Sequence, residues 1–383
     1  LNDQPSQVSV RAAESRPEDL SATVDAARSS HLDWIDTAKA GAIVLVVLYH
    51  VGNTYAGAFL PVTALGLNAP WRELNDWLIP VRMPLFFLVS GMLATRAVSR
   101  PWSALRRPKV ADLLWPFALW SVIYGVATGA AYATEPGGWT GAAFASWWAI
   151  PAGGTAYWYL TALVVFFCVA RLARRFGAAL VLVAFVAWLG ASGLSVVVSP
   201  VLGTALSTNL VRWCYFAVWF MVGCFARDTV ARIARLRLAP TLVVSATLYV
   251  VIAMKVYGGG ATAGRWVESL NVLGIVSAIL ASVLLSRSRR VRRVSRYLAA
   301  RTLPIYLVHP VVLCLALAIA RRPDGTVATL PGTWIVGALF TPVVTIALVL
   351  LSTWTYDRLR DTRASVLFRA PRRSRDLRPT IRA

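Results

Sequence analysis

Residues 32–55 read LDWIDTAKAGAIVLVVLYHVGNTY, an apolar run with Lys39 near its start and His50 well inside it. Written as an α-helix, the step from Lys39 to His50 spans roughly 16 Å and closes about three turns plus 20°, so both side chains share one face. Asn53 and Thr54 follow one turn later near that face. An ionisable group at membrane depth is costly, and its presence marks a functional position. The rest of the chain reads as nine further helices arranged around this stripe.

The chain has 383 residues, of which 57% are hydrophobic. A soluble domain of average usage carries ~45–50%. The excess lies in runs long enough to cross a hydrocarbon core of about 30 Å, which takes roughly 20 apolar residues. The expected fold class is therefore all-α: a polytopic membrane protein, a helical bundle of about ten transmembrane helices. The runs lie at about 37–56, 77–95, 110–133, 156–172, 178–198, 208–226, 238–257, 268–286, 302–320 and 333–356. They form one domain over 32–356. Residues 1–31 are polar and rich in Ser, Ala and acidic groups, and are expected to be a disordered cytoplasmic tail with His31 solvated. No apolar run opens the sequence, so no cleavable signal peptide is expected. Residues 357–383 read as a basic cytoplasmic tail, solvated or touching anionic lipid.

The net charge of +22 does not point to nucleic acid, because the arginines sit in short loops between apolar runs. Residues 96–109 carry Arg96, Arg100, Arg106, Arg107 and Lys109; 171–177 carry Arg171, Arg174 and Arg175; 227–237 carry four arginines and 287–301 carry seven. The alternate loops carry only Arg72, Arg265, Arg321 and Arg322. That asymmetry places the basic loops and both termini on the cytoplasmic side of the plasma membrane. Only Lys39, Lys109 and Lys255 are lysines, which reads as the bias of a GC-rich genome rather than as a binding site. Cys168, Cys214, Cys224 and Cys314 lie inside apolar runs without metal-ligand spacing and read as small buried hydrophobes.

With that orientation, His50 lies about 18 Å from the cytoplasmic edge and Arg82 about 7 Å below the outer edge. Arg82 stands between Pro80 and Pro84, which loosen its helix. Arg212 and the Trp158–Tyr159 pair lie within a turn or two of the outer edge. His50, Asn53, Arg82, Tyr159 and Arg212 thus share one layer in the outer half of the membrane; convergence of their faces is not readable from the sequence. Arg82, Arg212, Lys39 and His309 each have a plainer reading. Arg82 and Arg212 would snorkel to the outer headgroups. Lys39 would anchor at the interface or pair with Asp36. His309 would pack in the bundle against a carbonyl. The chemical reading is that a neutral imidazole takes a proton from a hydroxyl, arginine stabilises an oxyanion or holds a polar acceptor, and a basic group at the cytoplasmic edge holds the phosphates of a carrier such as coenzyme A. There is no Walker loop, no GxSxG elbow and no metal cluster.

At these residues the chain resembles the acyltransferase 3 family of integral membrane acyltransferases, in particular the branch related to fucose 4-O-acetylases. Lys39 and His50 match that family's basic residue, ten intervening residues and histidine in the first helix, and LDWIDTAK is similar to the branch. MPLFFLVSG (83–91) resembles the second-helix motif, Tyr157-Trp158-Tyr159-Leu160 a later aromatic motif, and IYLVHP (305–310) the late Tyr–His motif. The resemblance covers residues 32–356. One departure is Ala40-Gly41 after Lys39, where Lys-Gly is commoner.

The resemblance implies an O-acyltransferase that moves an acyl group, acetyl in the first instance, from cytoplasmic acyl-CoA to a hydroxyl of an envelope glycan or glycolipid. His50 would be the catalytic base, with Arg82 and His309 as further catalytic candidates. Lys39 and Tyr306 would hold the acyl-CoA; Asn53, Trp158, Tyr159 and Arg212 would meet the acceptor. No metal, no nucleic acid and no particular oligomer is expected beyond the lipid bilayer. Residues 1–383 show no hydrolase-like extracytoplasmic domain, so the expectation is that the chain acts alone or hands its acyl group to a partner. A transporter or flippase stays open as the second reading, since buried Arg and His also mark transport paths, although no inverted repeat is evident. A non-catalytic scaffold is the third.

Overall fold

The computed structural model describes residues 17–154, 156–258 and 266–371, with side chains from Asp33 onward except at 104, 107, 108 and 195. Among these residues the protein is a bundle of helices, and the one β contact is an isolated bridge between Arg321 and Val327. The principal elements are α1 (Pro17–Tyr49), α2 (Val62–Trp77), α3 (Ile79–Val98), α4 (Asp112–Ala131), α5 (Trp158–Leu172), α6 (Gly177–Phe225), α7 (Leu238–Tyr257), α8 (Val267–Ser286), α9 (Arg289–Ala299), α10 (Thr302–Ala320) and α11 (Trp334–Leu359). Eight described helices are long and apolar enough to cross a membrane, or nine if the bent pair Val196–Phe225 and Arg227–Ile233 counts as one span. The protein is therefore a polytopic membrane bundle. α6 holds two of the sequence's apolar runs, divided near Gly203, whose φ of 71° is not helical.

The fourth apolar run forms only the 15-residue α5, which at 1.5 Å per residue falls short of a full crossing. Its missing turns are replaced by an irregular segment tucked between helices. Gly153 and Gly154 have φ of 104° and 80°, and a Cβ on Gly154 would lie 2.6 Å from the Phe117 ring. Backbone groups inside a membrane need protein partners. Here Asn209 Nδ2 donates to Ala152 O and Gly154 O, and Thr161 Oγ1 donates to Gly153 O.

The centre of the bundle is α3 against α6. A Cβ on Gly91 would sit 2.1 Å from Phe220 O, and one on Gly223 would sit 2.1 Å from Leu88 O. Two backbones thus touch where MPLFFLVSG ends in glycine, the close approach that drives helix association in lipid. Two-thirds of the apolar window of α3 is buried, against 17% in α7, which lies at the periphery.

The basic loops gather at one end. Arg171 Nε donates to Arg100 O, Arg296 Nε to Asp33 Oδ1 at 3.0 Å, and Arg301 Nη2 to Asp357 Oδ1 at 2.8 Å. The two flanks differ from the expected free tails. Residues 1–16 and 372–383 lie outside the described residues, but the chain is helical from Pro17. Residues after Leu359 turn back onto α4: Phe368 is buried, and the indoles of Trp115 and Trp120 donate to Val366 O and Leu367 O. The stretch between the first two spans is also more than a linker, since α2 lies in it and packs on α11, with Thr341 Oγ1 donating to Asn68 Oδ1.

Candidate active site

At His50 the first span changes its winding. α1 stops at Tyr49, and His50–Tyr55 forms a wider π-type turn in which Ala56 N–H reaches back to Val51 O. Such turns often carry functional residues because they re-aim side chains inside a helix. Gly52 permits a close approach here: a Cβ on it would lie 2.7 Å from Asn75 Nδ2 and 3.2 Å from a Thr341 methyl. Asn75 Nδ2 in turn donates to Leu48 O.

His50 Nδ1 lies 2.8 Å from Val46 O, and His309 Nδ1 lies 2.8 Å from Ile305 O. A carbonyl only accepts, so each Nδ1 carries the proton in the neutral ring, a tautomer assigned from the network. His309 Nε2 is then a bare acceptor. It sits 3.4 Å from His50 Nδ1, with ring centroids 5.1 Å apart. His50 Nδ1–H is thus shared between a carbonyl and a second imidazole, and His50 Nε2 keeps a free lone pair. The arrangement can accept a proton from a bound hydroxyl. His309 adopts its plainer packing against a carbonyl and faces His50 as well.

Beside the pair, Tyr49 packs edge-on to His50 at 5.6 Å, and the Arg82 guanidinium lies 3.9 Å above the Tyr49 ring. Arg82 is buried and donates to Asn75 O at 3.3 Å, so it points into the bundle instead of snorkelling. Asn53 Nδ2 donates to Asp76 Oδ1 at 2.7 Å. The amide oxygens of Asn53 and Asn75 are buried with no hydrogen-bond partner. Arg212 lies 5.1 Å over the Trp158 ring.

On the basic side of the pair lies a cavity of about 220 Å³. Lys39 and Lys109 line it together with Ser90, Tyr159 and Tyr306, and Phe86, Leu163 and Phe220 are among its apolar walls. Lys39 Nζ donates to Ala299 O at 2.9 Å rather than forming an ion pair with Asp36. Ser90 Oγ and Tyr159 OH share a hydrogen at 2.7 Å, and Tyr306 OH donates to Ala156 O. The Tyr306 ring stands 6.2 Å from His309 and 5.7 Å from Tyr159. Cavity, Tyr306, His309 and His50 therefore form one connected series.

The layer expected from depth is divided by this geometry. Asn53 and Arg82 lie on the His50 side with Asp76 and Tyr49. Tyr159 faces the cavity with Tyr306, and Arg212 stacks on Trp158. Lys109, Ser90, Tyr49 and Asp76 were not singled out from the sequence. Lys109 carried a signal: of 39 basic residues only three are lysine, and two of those line one cavity. Among the described residues no group of three or more His, Cys, Asp or Glu is placed to hold a metal.

The family model described as an acyltransferase domain matches residues 32–356. The inner membrane protein YcfT of Escherichia coli (strain K12) is 29% identical over 163 residues, covering 37% of this chain and 44% of that protein. The chain thus spans less than half the length of this curated relative. No solved structure matches it. With the family match running from the first span through the last, the chain belongs to the acyltransferase 3 family.

Proposed function

We propose that this protein transfers an acyl group from acyl-CoA to a hydroxyl of a cell-envelope glycan or glycolipid, with His50 as the general base. The observation that carries this reading is the histidine pair. Both Nδ1 atoms are committed to carbonyls, and His50 Nε2 is left bare beyond a cavity lined by two lysines. By charge, the basic end and both termini face the cytoplasm of the plasma membrane. Acyl-CoA then enters at Lys39 and Lys109, which hold its phosphates, while the thioester arm lies along the apolar walls towards Tyr306.

The acceptor hydroxyl gives its proton to His50 Nε2 as its oxygen attacks the thioester carbonyl carbon. Arg82, held beside His50 through Tyr49, is the cation assigned to the oxyanion that develops. The C–S bond breaks, and the leaving thiolate takes the proton back from His50. Asn53, Trp158 and Arg212 are assigned to the acceptor and the passage around it, and Tyr159, which lines the lysine cavity, to the donor arm.

The test is transfer from radiolabelled acetyl-CoA to an envelope glycan extract in membranes holding the purified protein. Wild type should label the glycan and His50→Ala should not. Equal label from both would remove His50 as base. Passage of the glycan across the membrane with no acyl-CoA consumed would favour the transport reading.

A further inference from the structure

A cavity of about 550 Å³ lies away from the histidines, at the basic end between α1, α9 and α11. Val44, Val294, Leu298, Ile346, Val349 and Leu350 are among the side chains that line it. Its polar residues turn their polar atoms elsewhere. Thr345 and Thr353 donate to Thr341 O and Leu350 O of their own helix, and Tyr297 OH donates to Asp357 Oδ2 at 2.8 Å. Ile346 and Leu350 are more than half exposed, so the groove opens sideways towards the bilayer. Arg293 contributes its stem to the wall, an arrangement that keeps a guanidinium at the rim.

Among the described residues, the charge on α9 is not matched by acid. Arg292 and Arg296 both reach Asp33, at 3.5 Å and 3.0 Å. Arg289, Arg290 and Arg293 are exposed and, among the described residues, have no carboxylate within ion-pair distance. Arg289 and Arg293 stand one turn apart on the stripe that continues to Tyr297, along the groove. An apolar groove that opens into lipid beneath exposed guanidinium groups matches one kind of molecule at both ends.

We infer that this groove binds an anionic diacyl phospholipid, with one acyl chain between α9 and α11 and the phosphate on Arg293 and its neighbours. The lipid braces α9, whose Ala299 carbonyl accepts from Lys39, and so steadies the mouth of the lysine cavity. This site does not depend on the identity of the acyl donor or acceptor.

The test equilibrates the delipidated full chain in detergent with equimolar phosphatidylglycerol and phosphatidylcholine, and measures retained lipid by mass spectrometry. Wild type retains phosphatidylglycerol in preference. Arg293→Gln, at an exposed position, lowers that retention about fivefold, the scale of one basic residue near an anionic surface, and Arg293→Lys restores it. Ile346→Trp, which fills the groove from its open side, lowers retention of both lipids while thermal unfolding stays cooperative. Retention in the supplied ratio by wild type, or unchanged phosphatidylglycerol on Arg293→Gln or Ile346→Trp, overturns the inference.

Discussion

Towards the basic end, His309 looks past Tyr306 onto an open cavity whose walls are apolar and whose two cations are lysines. Towards the other end, His50 meets a packed polar cluster in which Asn53 holds Asp76, Asn75 holds Leu48 O and Arg82 covers Tyr49. The first flank is space with charge at its mouth; the second is hydrogen bonds with little space. On the function proposed above, the difference assigns each flank its substrate. A long arm with anionic phosphates needs a preformed channel and mobile point charges, which lysine supplies. A hydroxylated acceptor needs partners to exchange bonds with, and the orphaned oxygens of Asn53 and Asn75 are ready acceptors for its hydroxyls.

Four substitutions would break or sharpen this contrast. His50→Ala removes the group common to both flanks. Acyl transfer should fall about 10²–10⁴-fold, the range of a lost general base, with the KM for acyl-CoA unchanged. His309→Gln removes the imidazole whose Nε2 faces His50 Nδ1 and leaves His50 itself in place. Its loss in kcat should be about 10–100-fold, by analogy with partners that orient metal-bound histidines. A loss as large as that of His50→Ala would make His309 a proton carrier in its own right.

Lys109→Gln should act on the donor flank alone. The KM for acyl-CoA should rise about tenfold, as for a charge-assisted hydrogen bond, with kcat preserved and the defect shrinking at high salt. Asp76→Asn should act on the acceptor flank alone, raising the acceptor KM about threefold, the scale of one neutral-for-charged hydrogen bond. A donor KM that moved with Asp76→Asn would erase the division between the flanks.

The apolar runs were legible in the sequence because crossing a bilayer requires length and hydrophobicity, and both are read directly. Lys39 and His50 were legible because an eleven-residue step closes almost a whole number of turns. The pairing of His50 with His309 was not, since the two lie 259 positions apart on helices that are apolar all round. A soluble helix betrays its inward face by amphipathic period. A membrane helix is greasy towards both lipid and protein, so its rotation is hidden wherever no polar residue marks it. That is why Arg82, Arg212 and Tyr159 could be placed at a depth but not on a flank. The short α5 escaped for another reason: Asn209, far along the chain, satisfies the buried backbone before it. Lys109 was read as loop charge because its loop is basic throughout. The groove under α9 left no sequence signal, since its threonines and tyrosine read as polar and only their hydrogen bonds make them apolar walls.

The wide turn from His50 to Tyr55 has a further consequence for the evolution and engineering of this helix. It spends an additional residue on a turn, so every side chain after it is rotated out of step with the α-helix before it. Removing a single residue from this turn would leave the span's length nearly intact while swinging Asn53 and Tyr55 to new bearings. Tyr55 would leave the Cys314 thiol it now meets at 3.1 Å, and Asn53 would leave Asp76. One codon in this turn is therefore a phase adjuster, able to reset which side chains are presented beyond His50 without touching the histidine itself.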